Sequence, residues 1–560
     1  MTEKVFQASQ PIYNVIREEN VMVTARDGVK IAVDVYRPDA EGKFPGLLAM
    51  SAYGKISQVF PETPPMPFGK SIFEASCESG DPYYFARRGY VMVIADHRGS
   101  GDSEGEMIGL MAPQEGEDGH DVVEWMAEQP WCTGKVGLIG ICYFSNTQMQ
   151  IAVTQPPHLT CIAPWEIYGD DLYNHAMYDG GVLSLFWYGL YTGTYPARCG
   201  LAIKNIKSWM IENTPPEELK KLVDKACADP RLRQYPYLYH LLKYPEKNPI
   251  LFDMMLNPND GPFYRSRSFS DKLDRINVPT YVGGPCFSFF GLPQINVWNS
   301  LKVPKKLRLY KDMGTRPWKD DHDELLRWYD YWLKGMETGI MDEPDVRFLT
   351  SGVETWHTAR EFPCETTQYT EYYFNALGQL SRQPELHNNY PDSFMQAPLT
   401  VTEDRNMVVY LSAPLPEDTM VVGAPQVKFY AAVDHPNTTW RVELREDGSS
   451  MMAPLAGGWL NAAHRKIDES RCTPWEVVHD HTVDVPVVPG EINEYVVQLR
   501  PCAHVFKKGT RLRLEISNIE VPVDPATYDI MWHMCECETI THHIYRDEEH
   551  QSCIRLPVVP

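Results

Sequence analysis

Short apolar runs alternate with helical stretches through the first part of the chain. Alternating apolar residues from Val21 to Tyr36 surround Asp27-Gly28, a dipeptide that favours the tight turn of a hairpin. Buried-strand patterns follow at Pro45 to Met50, Tyr90 to Ala95, Val136 to Ile141 and Thr160 to Pro164, with a helical stretch around Gly119 to Gln129. Strands separated by helices in this way predict a mostly parallel sheet. Between about Ile167 and Asp271 the strand signal stops. The sequence there is helical and aromatic, with Phe186, Trp187, Tyr188, Tyr191 and Tyr195 close together. Strand patterns resume at Val278 to Val282 and Lys306 to Leu309, then close with an amphipathic helix from Glu324 to Leu333. From about Val346 onward the chain reads as short alternating strands with Pro and Gly turns, among them Gln426 to Val433, Trp440 to Leu444, Glu494 to Leu499 and Arg511 to Ile516. That pattern predicts a β-sandwich or jelly roll. The expected division is an α/β domain of residues 1–166 and 272–345, an inserted helical cap of 167–271, and an all-β domain of 346–560.

Length supports several domains, because 560 residues exceed what one hydrophobic core sustains. A formal net charge of −23 argues against nucleic acid or an anionic membrane as partner. No apolar run is long enough to span a membrane, and Met1-Thr2-Glu3-Lys4 lacks the blocks of a signal peptide. Thirteen cysteines, an odd number without a repeating frame, fit reduced thiols rather than a disulfide lattice. The expectation is a cytoplasmic protein with a small-molecule substrate, and self-association into a homo-oligomer is left open.

The most informative segment runs from Lys135 to Ile151. An apolar strand enters a tight turn and then a helix, the context of a nucleophile elbow, in which a sharp strand-to-helix turn lifts one side chain above the sheet. The usual spelling is Gly-x-Ser-x-Gly. This chain reads Gly140-Ile141-Cys142-Tyr143-Phe144, so a cysteine stands where a serine is expected and the second glycine is gone.

Asp96-His97-Arg98-Gly99-Ser100-Gly101-Asp102-Ser103-Glu104-Gly105, followed by Glu117-Asp118-Gly119-His120-Asp121 and Gln129-Pro130-Trp131, resembles the cocaine esterase and X-Pro dipeptidyl-peptidase family, the CocE/NonD hydrolases. The likeness continues through Ala163-Pro164-Trp165-Glu166, Trp332-Leu333-Lys334-Gly335, Gly509 to Glu515 and Leu556 to Pro560, and so covers nearly the whole chain. The resemblance implies an α/β-hydrolase domain, an inserted helical cap and a C-terminal jelly roll. It also implies a nucleophile at the elbow, with an oxyanion hole made by the N–H of the next residue and an early-loop tyrosine hydroxyl. Ser51-Ala52-Tyr53-Gly54-Lys55 matches that loop, so Tyr53 and the N–H of Tyr143 carry over.

The acid and the base do not carry over. Where the family pattern has Gly-Gly-Trp-x-Asp, this chain has Gly283-Gly284-Pro285-Cys286-Phe287, and where the family has its histidine the sequence runs Leu307-Arg308-Leu309-Tyr310-Lys311-Asp312-Met313-Gly314, with His322 the nearest histidine. A serine without a base is a poor nucleophile, because its proton must be taken as it attacks. A cysteine depends on the base less, since a helix N-terminus can favour its thiolate. Candidate replacements are Glu166 at a sheet end, Tyr310 and Asp312 in the former histidine segment, and His322 at the start of a helix. Two of these have a structural alternative: Glu166 as a buried acid tying cap to sheet, and His322 as a solvent-facing helix cap. His120 and His175 lie nearer the elbow in sequence but belong to a helix start and to the cap. Trp165, Trp187, Tyr191 and Phe287 are the expected substrate-binding aromatics, and an aromatic, non-peptidic or weakly polar substrate is predicted over a charged one.

A metal is not expected. His533, Cys535 and Cys537 alternate, but no Cys-x-x-Cys pair accompanies them, and a jelly-roll strand accounts for the alternation better. No phosphate-loop or dinucleotide motif occurs, so no cofactor is indicated. Three function classes remain: an acyl hydrolase or transferase acting through Cys142, a lyase, isomerase or cyclase that reuses the oxyanion donors, and an inactive binding protein. The persistence of the oxyanion tyrosine and the aromatic cap favours an enzyme, and the family weight places the acyl reaction first.

Overall fold

The computed structural model describes residues 6–58, 78–187, 205–310, 322–385, 390–402, 404–448, 454–520 and 533–560. Ten strands form the first sheet: β1 (Val15–Thr24), β2 (Lys30–Pro38), β3 (Phe44–Ser51), β4 (Val91–Asp96), β5 (Cys132–Leu138), β6 (Leu159–Ile162), β7 (Thr280–Pro285), β8 (Lys305–Tyr310), β9 (Val346–Thr350) and β10 (Thr355–Ala359). Their order is β1-β2-β4-β3-β5-β6-β7-β8-β9-β10. The run from β4 through β9 is parallel, while β1, β2 and β10 join antiparallel. Central strands such as Val-Met-Val-Ile-Ala-Asp in β4 are buried at every position, as parallel strands covered on both faces must be. The covering helices include α1 (Pro82–Ala86), α2 (Pro113–Glu128), α3 (Tyr143–Val153) and, after the cap, α7 (His322–Lys334).

Between β6 and β7 the chain leaves the sheet. This region holds α4 (Pro216–Cys227), α5 (Pro236–Lys243) and α6 (Pro249–Leu256), each with proline at its first turn, where a missing N–H costs nothing. The architecture is therefore an α/β-hydrolase domain with an inserted helical cap and a C-terminal all-β domain of the jelly-roll class. That last domain has its own core, including Trp440, Phe429, Tyr410 and Ile516.

The first sheet continues through β9 and β10, into residues expected to open the all-β domain. An edge strand with the alternating burial of β9 reads the same way in either domain, so the pattern alone could not assign it. The three parts are tied together by specific contacts. Arg500 in the β domain pairs with Asp179 at 2.7 Å, and Asn461 donates its N–H to the Gly180 carbonyl at 2.8 Å. His175 lies between Asp170 at 2.8 Å and Glu476 of the β domain at 3.2 Å.

Candidate active site

Strand β5 ends at Leu138, and the chain turns through Gly140 into α3. Cys142 sits at the apex with φ 59° and ψ −119°, a strained backbone that persists only where its surroundings hold it. Gly140 has φ +125°, and a Cβ there would lie 2.4 Å from Phe144 Cβ, so the turn requires glycine. The Ile141 N–H donates to the Glu78 carbonyl at 2.9 Å and the Cys142 N–H to the Trp165 carbonyl at 3.1 Å. Ser145 Oγ and Asn146 Nδ2 donate to the Cys142 carbonyl at 2.7 and 3.3 Å. Tyr143 is the first residue of α3, so its N–H has no acceptor within the helix.

The Cys142 side chain is 9% exposed, and its sulfur lies 3.3 Å from the Tyr53 hydroxyl. Burial, followed by the nearby Cys142 and Glu78, holds the Tyr53 pKa well above its ordinary value, so the phenol keeps its proton and stays a donor. Its ring meets Tyr143 edge-on at 5.6 Å. The Tyr143 side chain points into a buried network beneath the elbow. Its hydroxyl donates to Glu115 at 3.0 Å and accepts the Met111 N–H at 3.3 Å. His97 Nδ1 stands 3.3 Å from the same carboxyl group, and His97 Nε2 faces Thr147 Oγ1 at 3.2 Å. Burial pushes Glu115 up to about 8 and His97 down to about 3, so at neutral pH both are largely uncharged.

A second constellation lies at the neighbouring strand ends. Glu166, fully buried with φ 63°, follows Trp165 after β6, and its N–H donates to the Gly283 carbonyl at 2.7 Å. The hydroxyl of Tyr310, the last residue of β8, donates to Glu166 Oε1 at 2.6 Å. Ser145 Oγ touches the carbonyls of both Cys142 and Glu166, at 2.7 and 3.1 Å, which joins this pair to the elbow.

The structure thus brings Cys142, Tyr53 and Tyr143 together and sets Glu166 and Tyr310 beside them. Trp165 is fully buried, its indole against Gly283 and Tyr281, and it supports the elbow through its carbonyl. Trp187 is also buried, donating its Nε1–H to the Ala176 carbonyl at 2.9 Å and packing 6.0 Å from the Tyr168 ring. Phe287 is half-buried at the end of β7. His322 accepts the Asp81 N–H on Nε2 at 3.0 Å and packs against Tyr84 and Phe85, linking α7 to the start of α1. Asp312 and Tyr191 lie outside the described residues. Cys535 and Cys537 fall before the strand Ile540–Tyr545 rather than within it, and His533 pairs with Glu520 at 2.9 Å. Among the described residues no cluster of three His, Cys, Asp or Glu side chains is arranged to hold a metal.

Sequence reasoning passed over Glu78, Glu115 and Tyr168. Tyr168 follows Glu166 by two positions in the loop after a parallel strand, where α/β sheets commonly place site residues, and that position was the available signal.

The profile described as X-Pro dipeptidyl-peptidase (S15 family) matches residues 27–318, and that of the X-Pro dipeptidyl-peptidase C-terminal non-catalytic domain matches residues 338–555. The chain is 25% identical to the cocaine esterase of Rhodococcus sp. (strain MB1 Bresler), over 96% of this chain and 98% of that one. Its fold matches a CocE/NonD family hydrolase from Staphylococcus aureus with a TM-score of 0.78 at 21% identity, covering 98% and 94% of the two chains. An α-amino acid ester hydrolase matches with a TM-score of 0.70 at 18% identity, covering 100% and 99%.

Proposed function

The chain belongs to the X-Pro dipeptidyl-peptidase (S15) family of α/β-hydrolases, and from that premise we propose that it is an acyl hydrolase or acyl transferase whose nucleophile is Cys142. The proposed substrate is an ester, thioester or amide of a hydrophobic small molecule. The observation that carries this reading is the Cys142 thiol at the strained apex of the elbow, 3.3 Å from a protonated Tyr53 hydroxyl.

The N-terminus of α3 favours the thiolate over the thiol. Attack on the acyl carbonyl forms an S–C bond and moves the carbonyl electrons onto oxygen. The Tyr53 hydroxyl and the Tyr143 N–H are the donors for that oxyanion. Collapse expels the alcohol, thiol or amine, which takes up a proton. Water or a second nucleophile then attacks the thioester and restores the thiolate. The Tyr310–Glu166 pair is the proposed proton relay at the strand ends, in place of the family imidazole and carboxylate.

One observation favours a non-hydrolytic reading, in which the oxyanion donors stabilise an enolate or alkoxide. The segments matched to the family acid and base, Gly283 to Phe287 and Leu307 to Gly314, hold no carboxylate in the first and no imidazole in the second. Mass spectrometry of the intact protein after brief exposure to activated esters separates the two. Acylation of Cys142 that vanishes in Cys142→Ala supports the covalent route, whereas turnover that survives in Cys142→Ala supports the other.

The eleven cysteines among the described residues form no disulfide with one another, which supports a reducing, cytoplasmic setting. No helix among the described residues is long and apolar enough to cross a membrane.

A further inference from the structure

Tyr168 is 2% exposed, and no hydrogen bond of ordinary length and angle reaches its fully buried hydroxyl from a described residue, the Asn146 amide being the only neutral polar side chain that acts on it. Leaving a buried hydroxyl unpaired is unfavourable, so such a group in a folded protein calls for a partner. The ring is held from two directions. Trp187, Phe289 and Phe290 pack around it at centroid distances of 6.0, 6.1 and 6.1 Å. On the other side, Asn146 Oδ1 accepts the Tyr168 N–H at 3.2 Å and the Gly169 N–H at 3.0 Å, while the same side chain's Nδ2 donates to the Cys142 carbonyl at 3.3 Å. One amide thus fixes the backbone of Tyr168 to the backbone of the elbow. Burial is the main reason the Tyr168 hydroxyl keeps its proton and the neighbouring Cys142 is the next, while the Asn146 side chain acts in the opposite sense, which places the phenol in the electrostatic reach of the sulfur.

We infer that Tyr168 is a substrate-contacting residue, whose hydroxyl donates a hydrogen bond to an acceptor oxygen in the acyl portion of the substrate. This inference rests on the acyl reading of Cys142. The acyl portion is chosen over the leaving group because Tyr168 is tied to the elbow itself. An acyl group bonded to sulfur stays in register with a donor anchored there through both half-reactions, whereas the leaving group departs after the first. A preference follows for acyl groups that carry an ether or carbonyl oxygen near the reacting carbon, over purely hydrocarbon chains of the same shape. The apolar rings around Tyr168 exclude water, so an acyl group without that oxygen leaves the donor unpaired in the complex.

The probes are p-nitrophenyl methoxyacetate and p-nitrophenyl butyrate, which differ by one oxygen in place of one methylene. In Tyr168→Phe, kcat/KM for the methoxyacetyl ester should fall by roughly tenfold, the worth of one hydrogen bond, with the butyryl ester little changed. The melting temperature should stay level or rise, because the variant removes an unpaired buried hydroxyl. Equal losses on both esters, or no loss on either, overturn the inference, and equal losses with a lowered melting temperature identify Tyr168 as structural. Wild-type protein inert to both esters, with no acylation of Cys142, overturns the acyl reading and this inference with it.

Discussion

The Tyr310 hydroxyl donates to Glu166 Oε1 at 2.6 Å, joining the end of β8 to the loop that follows β6 across the intervening β7. Tyr310 lies in the segment Leu307 to Gly314 that stands where the family pattern has its histidine, and that segment holds no histidine. At this strand end a phenol pairs with a buried glutamate. A phenol holds its proton far more tightly than imidazole, so it serves as a donor near neutrality and not as a resting base.

If that pair works as a unit, its two members should not contribute independently. Tyr310→Phe and Glu166→Gln should each lower kcat, and the double variant should be about as slow as the slower single variant. Tyr310→Phe also removes a donor from a buried carboxylate and should cost about 1–3 kcal/mol of stability. Steady-state kinetics of the three variants decides the matter. Additive losses in log kcat would make the two residues separate contributors.

Serine at the elbow would require a base that takes its proton during attack. Cys142→Ser should therefore lose about two orders of magnitude or more in kcat/KM, although the two side chains have nearly the same shape. Retention of most activity by Cys142→Ser would reveal a competent base. An alkylating reagent should also modify Cys142 ahead of the twelve other cysteines, since buried thiols such as Cys161 and Cys286 are driven toward the neutral form by burial. Peptide mapping after limited labelling checks that order.

Tyr53→Phe removes the hydroxyl beside the sulfur and keeps the ring that packs on Tyr143. A donor that meets charge only in the transition state should appear in kcat, with a fall of about a hundredfold and little change in KM. A raised KM at constant kcat would instead make the hydroxyl a ground-state contact.

Much of the fold was legible because its signals are local. The hairpin around Asp27-Gly28, the all-apolar β4 and the strand-turn-helix at Gly140 each announce themselves within about ten residues. The motif order supplied the rest of the architecture. At the site, the matched motifs pointed to Cys142, Tyr53 and Tyr143, and the ends of neighbouring strands to Glu166 and Tyr310. Tyr168, Glu78 and Glu115 reach the elbow through tertiary contacts that leave no spacing in the sequence. Trp187 shows the same limit from the other side. Its place in an aromatic run suggested a pocket wall, but its indole N–H is bound within the cap and its ring backs Tyr168.

The network beneath the elbow gives the protein a specific pH response. Burial raises Glu115 from 4.5 to about 8, so between those values the folded state holds a proton that the unfolded chain releases. Stability from this group is present below pH 4.5 and lost as pH rises toward 8. Burial lowers His97 from 6.5 to about 3, so between those values the unfolded chain binds a proton that the folded state refuses. Its contribution is present above pH 6.5 and lost as pH falls toward 3. The two slopes cancel between about 4.5 and 6.5, leaving Glu115 alone above that range. From pH 6.5 to 8 the wild type should lose roughly 2 kcal/mol relative to Glu115→Gln, which cannot ionise and still offers Tyr143 an acceptor. Chemical denaturation of both proteins at the two pH values measures the difference. Parallel pH dependence would show that Glu115 is not the group that titrates. If Glu115 is that group, its ionisation places a charge against the Tyr143 hydroxyl at 3.0 Å, directly under the residue whose N–H is assigned to the oxyanion. Loss of kcat on the alkaline side should then accompany the loss of stability in the wild type, and both should be absent in Glu115→Gln.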